Sequence, residues 1–95
     1  METDVALIGG GIVGLAVAER LSRAGRAVVL LERHGVLLHE TSSRNSEVLH
    51  AGLYYPTGTL KARLCVAGNA STVAWCEAYR VPFSRLGKLI VAVDA

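Results

Sequence analysis

The sequence predicts an α/β fold that begins with a βαβ unit, and three successive segments support this prediction. The apolar run of residues 5–8 stops at a glycine cluster, which is typical of a strand buried on both faces of a parallel sheet. An amphipathic segment, residues 12–24, comes next, and a second apolar run, residues 27–31, ends at Glu32. Two parallel strands joined by a helix form a right-handed crossover.

The first helix is predicted to pack on this sheet through one apolar face. Gly25 stands where a glycine commonly ends a helix. The predicted apolar face contains Val13, Ala16, Val17, Leu21 and Ala24, and the opposite face contains Glu19, Ser22, Arg23 and Arg26.

A loop over residues 34–46, ending in TSSRNS, is predicted after the second strand, with a short strand within 48–55. Thr59 is a candidate N-cap for a second helix that extends to about Tyr79. The apolar face predicted for this helix contains Leu60, Leu64, Ala67, Ala70, Ala74 and Trp75. Two further strands, 83–85 and 88–93, are predicted around Gly87 as the start of a β-rich region.

Composition argues against several classes of protein. Hydrophobic residues make up 52% of the chain and charged residues 19%, which disfavours disorder. A net charge of +2 with scattered arginines gives no reason to expect a nucleic-acid partner. The acidic start disfavours a signal peptide, and no apolar run approaches the about 20 residues of a membrane span. We therefore expect a cytoplasmic protein, with peripheral membrane association left open, and buried free thiols at Cys65 and Cys76.

The glycine cluster matches the G-x-G-x-x-G pattern of dinucleotide-binding units. Gly9 permits a tight turn, Gly11 lets a pyrophosphate approach the backbone, and Gly14 lets the helix pack closely on the strand. The helix N-terminus at Ile12 and Val13 presents unpaired N–H groups and a partial positive charge to phosphates.

Glu32 is the candidate ribose-binding residue. It follows Gly14 by 18 positions, near the spacing of about 20 expected for the acid that accepts hydrogen bonds from ribose hydroxyls. A carboxylate here disfavours the 2′-phosphate of NADP, although Arg33 beside it leaves that point open. The pattern indicates a Rossmann-like dinucleotide-binding unit and does not separate FAD from NAD.

The segment TSSRNSEVLHAGLYYPTGTLKARLCVAGN, residues 41–69, carries a more specific signal. It resembles the segment after the second strand in the D-amino-acid-oxidase-like superfamily of FAD oxidoreductases. Its parts RNS, HAGLYYP and GTLKARLCVAGN, followed by GKLIVA, most closely resemble L-2-hydroxyglutarate dehydrogenases and oxidases. The resemblance extends from Asp4 to Val93, and Glu47 departs from it because a glycine is expected there.

The resemblance implies that residues 1–95 are the N-terminal part of an FAD-binding domain and that residues 83–95 begin the substrate region. FAD would be bound in an extended form, with its ADP half at the glycine cluster and its flavin near residues 41–46 and 50–52. The expected cofactor-binding residues are Gly9, Gly11, Ile12, Val13, Gly14, Glu32, Arg33, Thr41, Ser42, Ser43, Asn45, Ser46, His50, Ala51 and Gly52.

The implied activity of the full-length protein is the oxidation of (S)-2-hydroxyglutarate to 2-oxoglutarate, with a quinone or oxygen as electron acceptor. His50 is the catalytic candidate as a base or electrostatic partner, although it is alternatively structural or a site of covalent flavin attachment. Tyr54, Tyr55, Lys61 and Arg63 are candidates for binding a dicarboxylate, or equally for surface charge and aromatic packing.

Two other functions stay open at this point. One is an FAD-dependent amine or amino-acid oxidase on the same scaffold. The other is a non-catalytic nucleotide-binding fragment that needs a partner to supply a missing C-terminal half. No metal site is predicted.

Overall fold

The computed structural model describes residues 2–94, which divide between Val48 and Leu49 into two compact units. The first unit contains strand β1 (Val5–Ile8), helix α1 (Ile12–Arg23) and strand β2 (Val28–Leu31). The second contains helix α2 (Leu60–Ala78). The structure therefore confirms an α/β chain in which the first two strands and both helices lie close to their predicted positions.

The two strands form a parallel pair in which Val5 lies opposite Val28 and Ile8 lies opposite Leu31. Since α1 connects them, the predicted βαβ unit is confirmed. The side chain of Asp4 accepts a hydrogen bond from the Ala27 N–H at 2.9 Å and so holds the chain at the start of both strands.

Helix α1 ends as the sequence predicts. Gly25 has a φ of +80°, its N–H donates to the Ser22 carbonyl at 2.9 Å, and the Arg26 N–H donates to the Leu21 carbonyl at 3.1 Å. These two bonds form a Schellman motif, in which the residue with left-handed backbone is usually glycine.

The face of α1 that packs on the sheet differs from the prediction. Of the predicted face only Leu21 is half-buried, whereas Val13, Ala16, Val17 and Ala24 are exposed. The covered face contains Gly14, Leu15, Ala18 and Leu21. The helix has apolar residues on two sides, and the side that carries Gly14 packs on the sheet because a glycine permits the closest approach. The other side, with Ile12, Val13, Ala16 and Val17, lines an open apolar groove of about 510 Å³.

The predictions that β1 is buried on both faces and that β2 is a buried strand are wrong for residues 2–94. Ile8 is 91% exposed and Leu31 is 54% exposed. The two-stranded sheet has α1 against one face, and in β1 the alternate side chains Val5 and Leu7 are half-buried whereas Ala6 and Ile8 are exposed.

In the second unit, α2 begins and ends where the sequence predicts. The Thr59 hydroxyl accepts a hydrogen bond from the Ala62 N–H at 3.2 Å and caps the helix, and Tyr79 follows its last residue. Cys65 and Cys76 are free thiols, as expected, although they are half-buried where full burial was predicted. Among residues 2–94 no helix is long and apolar enough to span a membrane.

The predicted apolar face of α2 is exposed, so this prediction is wrong. That face contains Leu60, Leu64, Ala67, Ala70, Ala74 and Trp75, whereas the half-buried residues are Ala62, Cys65, Gly68, Asn69, Val73 and Cys76. The backbone at Gly52 approaches this small-residue face, where an added Cβ would lie 3.3 Å from the Cβ of Cys65. Small side chains allow that approach, and the larger leucines on the other face do not.

Strands predicted within 48–55 and at 83–85 and 88–93 do not form in the part of the chain that the structure describes. A strand needs a neighbour that accepts and donates its backbone hydrogen bonds, and residues 32–94 contain no such partner strand. The expected β-rich region is therefore absent from the described residues.

Candidate functional site

The turn between β1 and α1 depends on two glycines. Gly9 has a φ of +105°, a conformation that side-chain-bearing residues rarely adopt. A Cβ on Gly14 would lie 2.1 Å from the Gly9 carbonyl oxygen, so the helix packs on the turn through bare backbone. The tasks predicted for these two glycines, a tight turn and a close helix approach, agree with this geometry.

Gly10 and Gly11 let the side chains of neighbouring residues approach the backbone of the turn closely. Gly10 is buried, and a Cβ there would lie 2.6 Å from a methyl carbon of Leu37. A Cβ on Gly11 would lie 3.2 Å from the Ser42 hydroxyl oxygen. Sequence reasoning left Gly10 as a variable position of the pattern, although its place between two other glycines was the available signal.

Glu32 is held beside the glycine turn by two backbone donors. Its Oε1 accepts a hydrogen bond from the His34 N–H at 2.9 Å, and its Oε2 accepts one from the Gly10 N–H at 2.7 Å. These bonds, that of His34 first, lower the pKa of the Glu32 carboxyl below its ordinary value of 4.5. Each carboxylate oxygen keeps a second lone pair, so the ionised group can still accept hydrogen bonds from a diol.

Ser42 lies at the N-terminus of α1. Its hydroxyl oxygen accepts a hydrogen bond from the Ile12 N–H at 3.0 Å, which leaves the hydroxyl proton available as a donor. A short 3-10 helix, Thr41–Ser43, positions this side chain. The loop that the sequence predicts near the cofactor therefore meets the helix end that it predicts for phosphates.

The rest of the loop is shaped by its own polar side chains. The Ser43 hydroxyl donates to the Glu40 carbonyl at 2.7 Å, and the Asn45 amide nitrogen donates to the Ser42 carbonyl at 2.9 Å. Glu47 has a φ of +57°, a conformation that favours the glycine expected there, and its N–H donates to the Asn45 side-chain oxygen at 2.7 Å. Val13 and Ser46, also predicted site residues, are exposed.

Arg33 points toward Glu40 and forms an ion pair with it. The same carboxylate oxygen lies 3.1 Å from His34 Nε2. Hydrogen bonds from His34 and then Arg33 lower the pKa of Glu40, and the Glu40 contact raises the pKa of Arg33. The cation that left NADP open in the sequence is thus paired with a neighbouring carboxylate.

An open cleft of about 180 Å³ lies beside the glycine turn and Glu32. It brings together five predicted residues, namely Gly9, Gly11, Glu32, Thr41 and Ser42. It also contains four that the sequence analysis missed, namely His34, Leu38, His39 and Glu40. No motif marks these four, since they lie in the segment read only as a loop.

The remaining predicted residues belong to the second unit. The His50 carbonyl accepts a hydrogen bond from the Asn69 amide nitrogen at 3.2 Å, and Gly52 has a φ of +84°. Lys61 Nζ lies 4.2 Å from the centre of the Tyr55 ring. Ala51 and Arg63 are exposed.

Tyr54 pairs with a lysine that sequence reasoning did not select. Lys88 Nζ lies 4.8 Å from the centre of the Tyr54 ring and 3.4 Å from its hydroxyl oxygen. The stretch GKLIVA, which contains Lys88, was the available signal. Each adjacent tyrosine is therefore in contact with one ammonium group.

Comparisons with known proteins agree on one family. The sequence profile of the family described as FAD dependent oxidoreductase matches residues 4–95. The mitochondrial L-2-hydroxyglutarate dehydrogenase of Arabidopsis thaliana is 51% identical over 92 residues, which cover 97% of this chain and 19% of that protein. The protein of the same name from Nematostella vectensis is 45% identical, covering 96% of this chain and 20% of its own length.

A bacterial relative gives the same result. The L-2-hydroxyglutarate dehydrogenase of Indibacter alkaliphilus is 40% identical over 94 residues, which cover 97% of this chain and 24% of that protein. The chain thus spans about a fifth of the length of the curated relatives that it matches.

Proposed function

Because the chain belongs to the family of FAD dependent oxidoreductases, we propose that it forms the ADP-binding part of the FAD site in a 2-hydroxy-acid dehydrogenase or oxidase. The observation that carries the proposal is the cleft in which the glycine turn, Glu32 and Ser42 meet. An ionised carboxylate beside bare backbone and a helix N-terminus fits a ribose joined to a pyrophosphate.

Each part of the cleft has a defined task in holding the cofactor. The Glu32 carboxylate accepts hydrogen bonds from the ribose hydroxyls, and the glycine turn lets the pyrophosphate approach the start of α1. Ser42 contributes a hydroxyl donor while it accepts from the Ile12 N–H. FAD is much larger than a cleft of about 180 Å³, so these residues hold one end of it.

The substrate we propose is (S)-2-hydroxyglutarate, since relatives at 40–51% identity are named for its oxidation. The chemistry that bound FAD would supply is the acceptance of a hydride from C2 of the substrate. His50 would take the hydroxyl proton, and the Asn69 bond to its carbonyl would fix the backbone that carries it. The substrate carboxylates would be bound by Lys61, by Tyr55, whose ring Lys61 contacts, and by the adjacent Tyr54.

The test uses the full-length protein that contains this chain. We expect flavin absorbance bands in the purified protein and formation of 2-oxoglutarate from (S)-2-hydroxyglutarate with a quinone or oxygen as acceptor. Glu32→Ala should lose most of the flavin, whereas Glu2→Gln, which removes an exposed carboxylate elsewhere, should retain it.

Other outcomes would separate the alternatives. Turnover of amines or amino acids instead of 2-hydroxy acids would assign an amine or amino-acid oxidase on the same scaffold. An unaltered protein that binds no flavin would contradict the proposal. A Glu32→Ala variant that retains its flavin would contradict the role of this cleft. Flavin that stays with the acid-precipitated protein would assign covalent attachment, for which His50 is the candidate.

A further inference from the structure

Residues 34–40, a segment to which the proposed function gives no role, contribute His34, Leu38, His39 and Glu40 to one wall of the cleft. The segment is tied by one backbone bond to Glu32 and by another to the glycine turn. The His34 N–H donates to Glu32 at 2.9 Å, and the Leu38 N–H donates to the Gly10 carbonyl at 2.9 Å. The ion pair of Arg33 with Glu40 joins the residue before the segment to the segment's last residue. A loop held at so many points presents its side chains in a fixed arrangement.

The backbone of this segment also contains an unfavourable conformation. Leu38 has a φ of +60°, in the left-handed region that a leucine rarely adopts. Its N–H bond to Gly10 holds it there, and the neighbouring Leu37 side chain fills the space that a Cβ on Gly10 would need. Conformations of this kind persist where the surroundings impose them, and they cluster where proteins hold ligands.

The fixed side chains include two flat rings. The centres of the His34 and His39 rings are 4.4 Å apart with an angle of 42° between their planes, and both residues line the cleft. The Glu40 carboxylate lies 3.1 Å from His34 Nε2 and fixes the edge of that ring. The base of a nucleotide is attached to the same ribose whose hydroxyls would bond to Glu32, so it must lie within one sugar's length of that carboxylate.

We propose that the His34–His39 ring pair is the surface on which the purine base of the bound dinucleotide packs. This inference rests on the proposed function, since it assigns the base end of the same cofactor. The face of an aromatic ring binds a purine by stacking and needs no hydrogen bond to it. The ring pair thereby selects a nucleotide with a base over a sugar phosphate without one.

The experiment compares ADP with ribose 5-diphosphate, which lacks the base, in calorimetric titrations of the flavin-free full-length protein. In His39→Ala and His34→Ala we expect about tenfold weaker binding of ADP and unchanged binding of ribose 5-diphosphate. His39→Phe keeps a flat ring and should restore ADP binding. The substitutions leave the backbone N–H of His34 and the carbonyl of His39 in place, so the loop keeps those ties.

Three results would overturn the inference alone. These are unchanged ADP affinity in both alanine variants, equal weakening of both probes, and failure of His39→Phe to restore binding. The second would show that the rings only maintain the loop, and the third that they act through charge or hydrogen bonding. If the unaltered protein binds neither ADP nor FAD, the proposed function fails, and this inference fails with it.

Discussion

A Cβ on Gly14 would lie 2.1 Å from the carbonyl oxygen of Gly9, so helix α1 and the turn before it touch through backbone atoms alone. Neither group can move aside as a flexible side chain would. Gly14→Ala should therefore push α1 away from the turn, lower the free energy of unfolding by about 1–3 kcal/mol and weaken FAD binding. Urea unfolding and a flavin titration measure the two effects.

Gly68→Ala is the matched control, because Gly68 also lies within a helix but an added Cβ meets nothing within 4 Å. Alanine is favoured over glycine in a helix interior by about 0.5–1 kcal/mol. The control should therefore be neutral or stabilising. If Gly14→Ala proves equally harmless, the close contact with Gly9 is not a feature of the folded protein.

A second prediction concerns the two apolar sides of α1, which differ in burial. Leu15 is half-buried on the side of the helix that faces the sheet. Val13 lies on the other apolar side and is 74% exposed. In the 95-residue chain, Leu15→Lys should lower the free energy of unfolding by about 1–2 kcal/mol because it replaces a partly buried apolar side chain. Val13→Lys should change it by less than about 0.5 kcal/mol. Urea unfolding followed by circular dichroism compares them, and equal losses would contradict the observed orientation of the helix.

Hydropathy predicts the existence of both helices but not the face that each one buries. Both sides of α1 are apolar, and the choice between them depends on Gly14, whose missing side chain lets one side approach the sheet. In α2 the covered side contains Ala62 and Asn69, which rank below Leu60 and Leu64 in hydropathy. Close backbone approach selects the small residues, and a periodicity analysis does not measure that approach.

In the candidate site, too, the sequence predicts some residues and not others. Gly9, Glu32 and Ser42 are predictable because fixed spacings and a family resemblance mark them. His39 and Leu38 are not, since their position depends on the bond from the Leu38 N–H to a glycine carbonyl, for which no sequence pattern exists. Motifs encode side chains that chemistry requires, whereas a loop's path is set by backbone contacts.

The end of α2 gives a third prediction. Its last turn is closed by the Val81 N–H, which donates to the Cys76 carbonyl at 2.8 Å, and Arg80 occupies the left-handed position with a φ of +57°. A glycine adopts this conformation without the penalty that a Cβ brings. Arg80→Gly should therefore raise the free energy of unfolding by about 1 kcal/mol, measured by urea unfolding.

Gly25 occupies the equivalent position after α1, with a φ of +80°, and serves as the reciprocal test. Gly25→Ala should lower the free energy of unfolding by about 1 kcal/mol for the same reason. A destabilising Arg80→Gly would mean that the arginine side chain contributes more than its backbone conformation costs.

The depressed pKa of Glu32 predicts how stability depends on pH. Hydrogen bonds from the His34 and Gly10 N–H groups favour the ionised carboxylate, so the folded protein has a pKa below the ordinary value of 4.5. As the pH falls, the unfolded chain takes up a proton at this position before the folded protein does. The contribution of Glu32 is therefore complete above pH 4.5 and is lost as the pH falls through the lower, folded pKa.

Glu32→Gln removes this titration and keeps a side-chain oxygen that can accept one of the two backbone bonds. The variant should be less stable than the unaltered protein near neutral pH, and the difference should shrink as the pH falls below 4.5. Urea unfolding in a series of buffers on both sides of that pH measures the difference directly. Glu2→Gln changes the net charge equally without altering the cleft, so it is the control. If the loss in free energy of unfolding depends on pH in the same way in both variants, overall charge is responsible and not the bonds to Glu32.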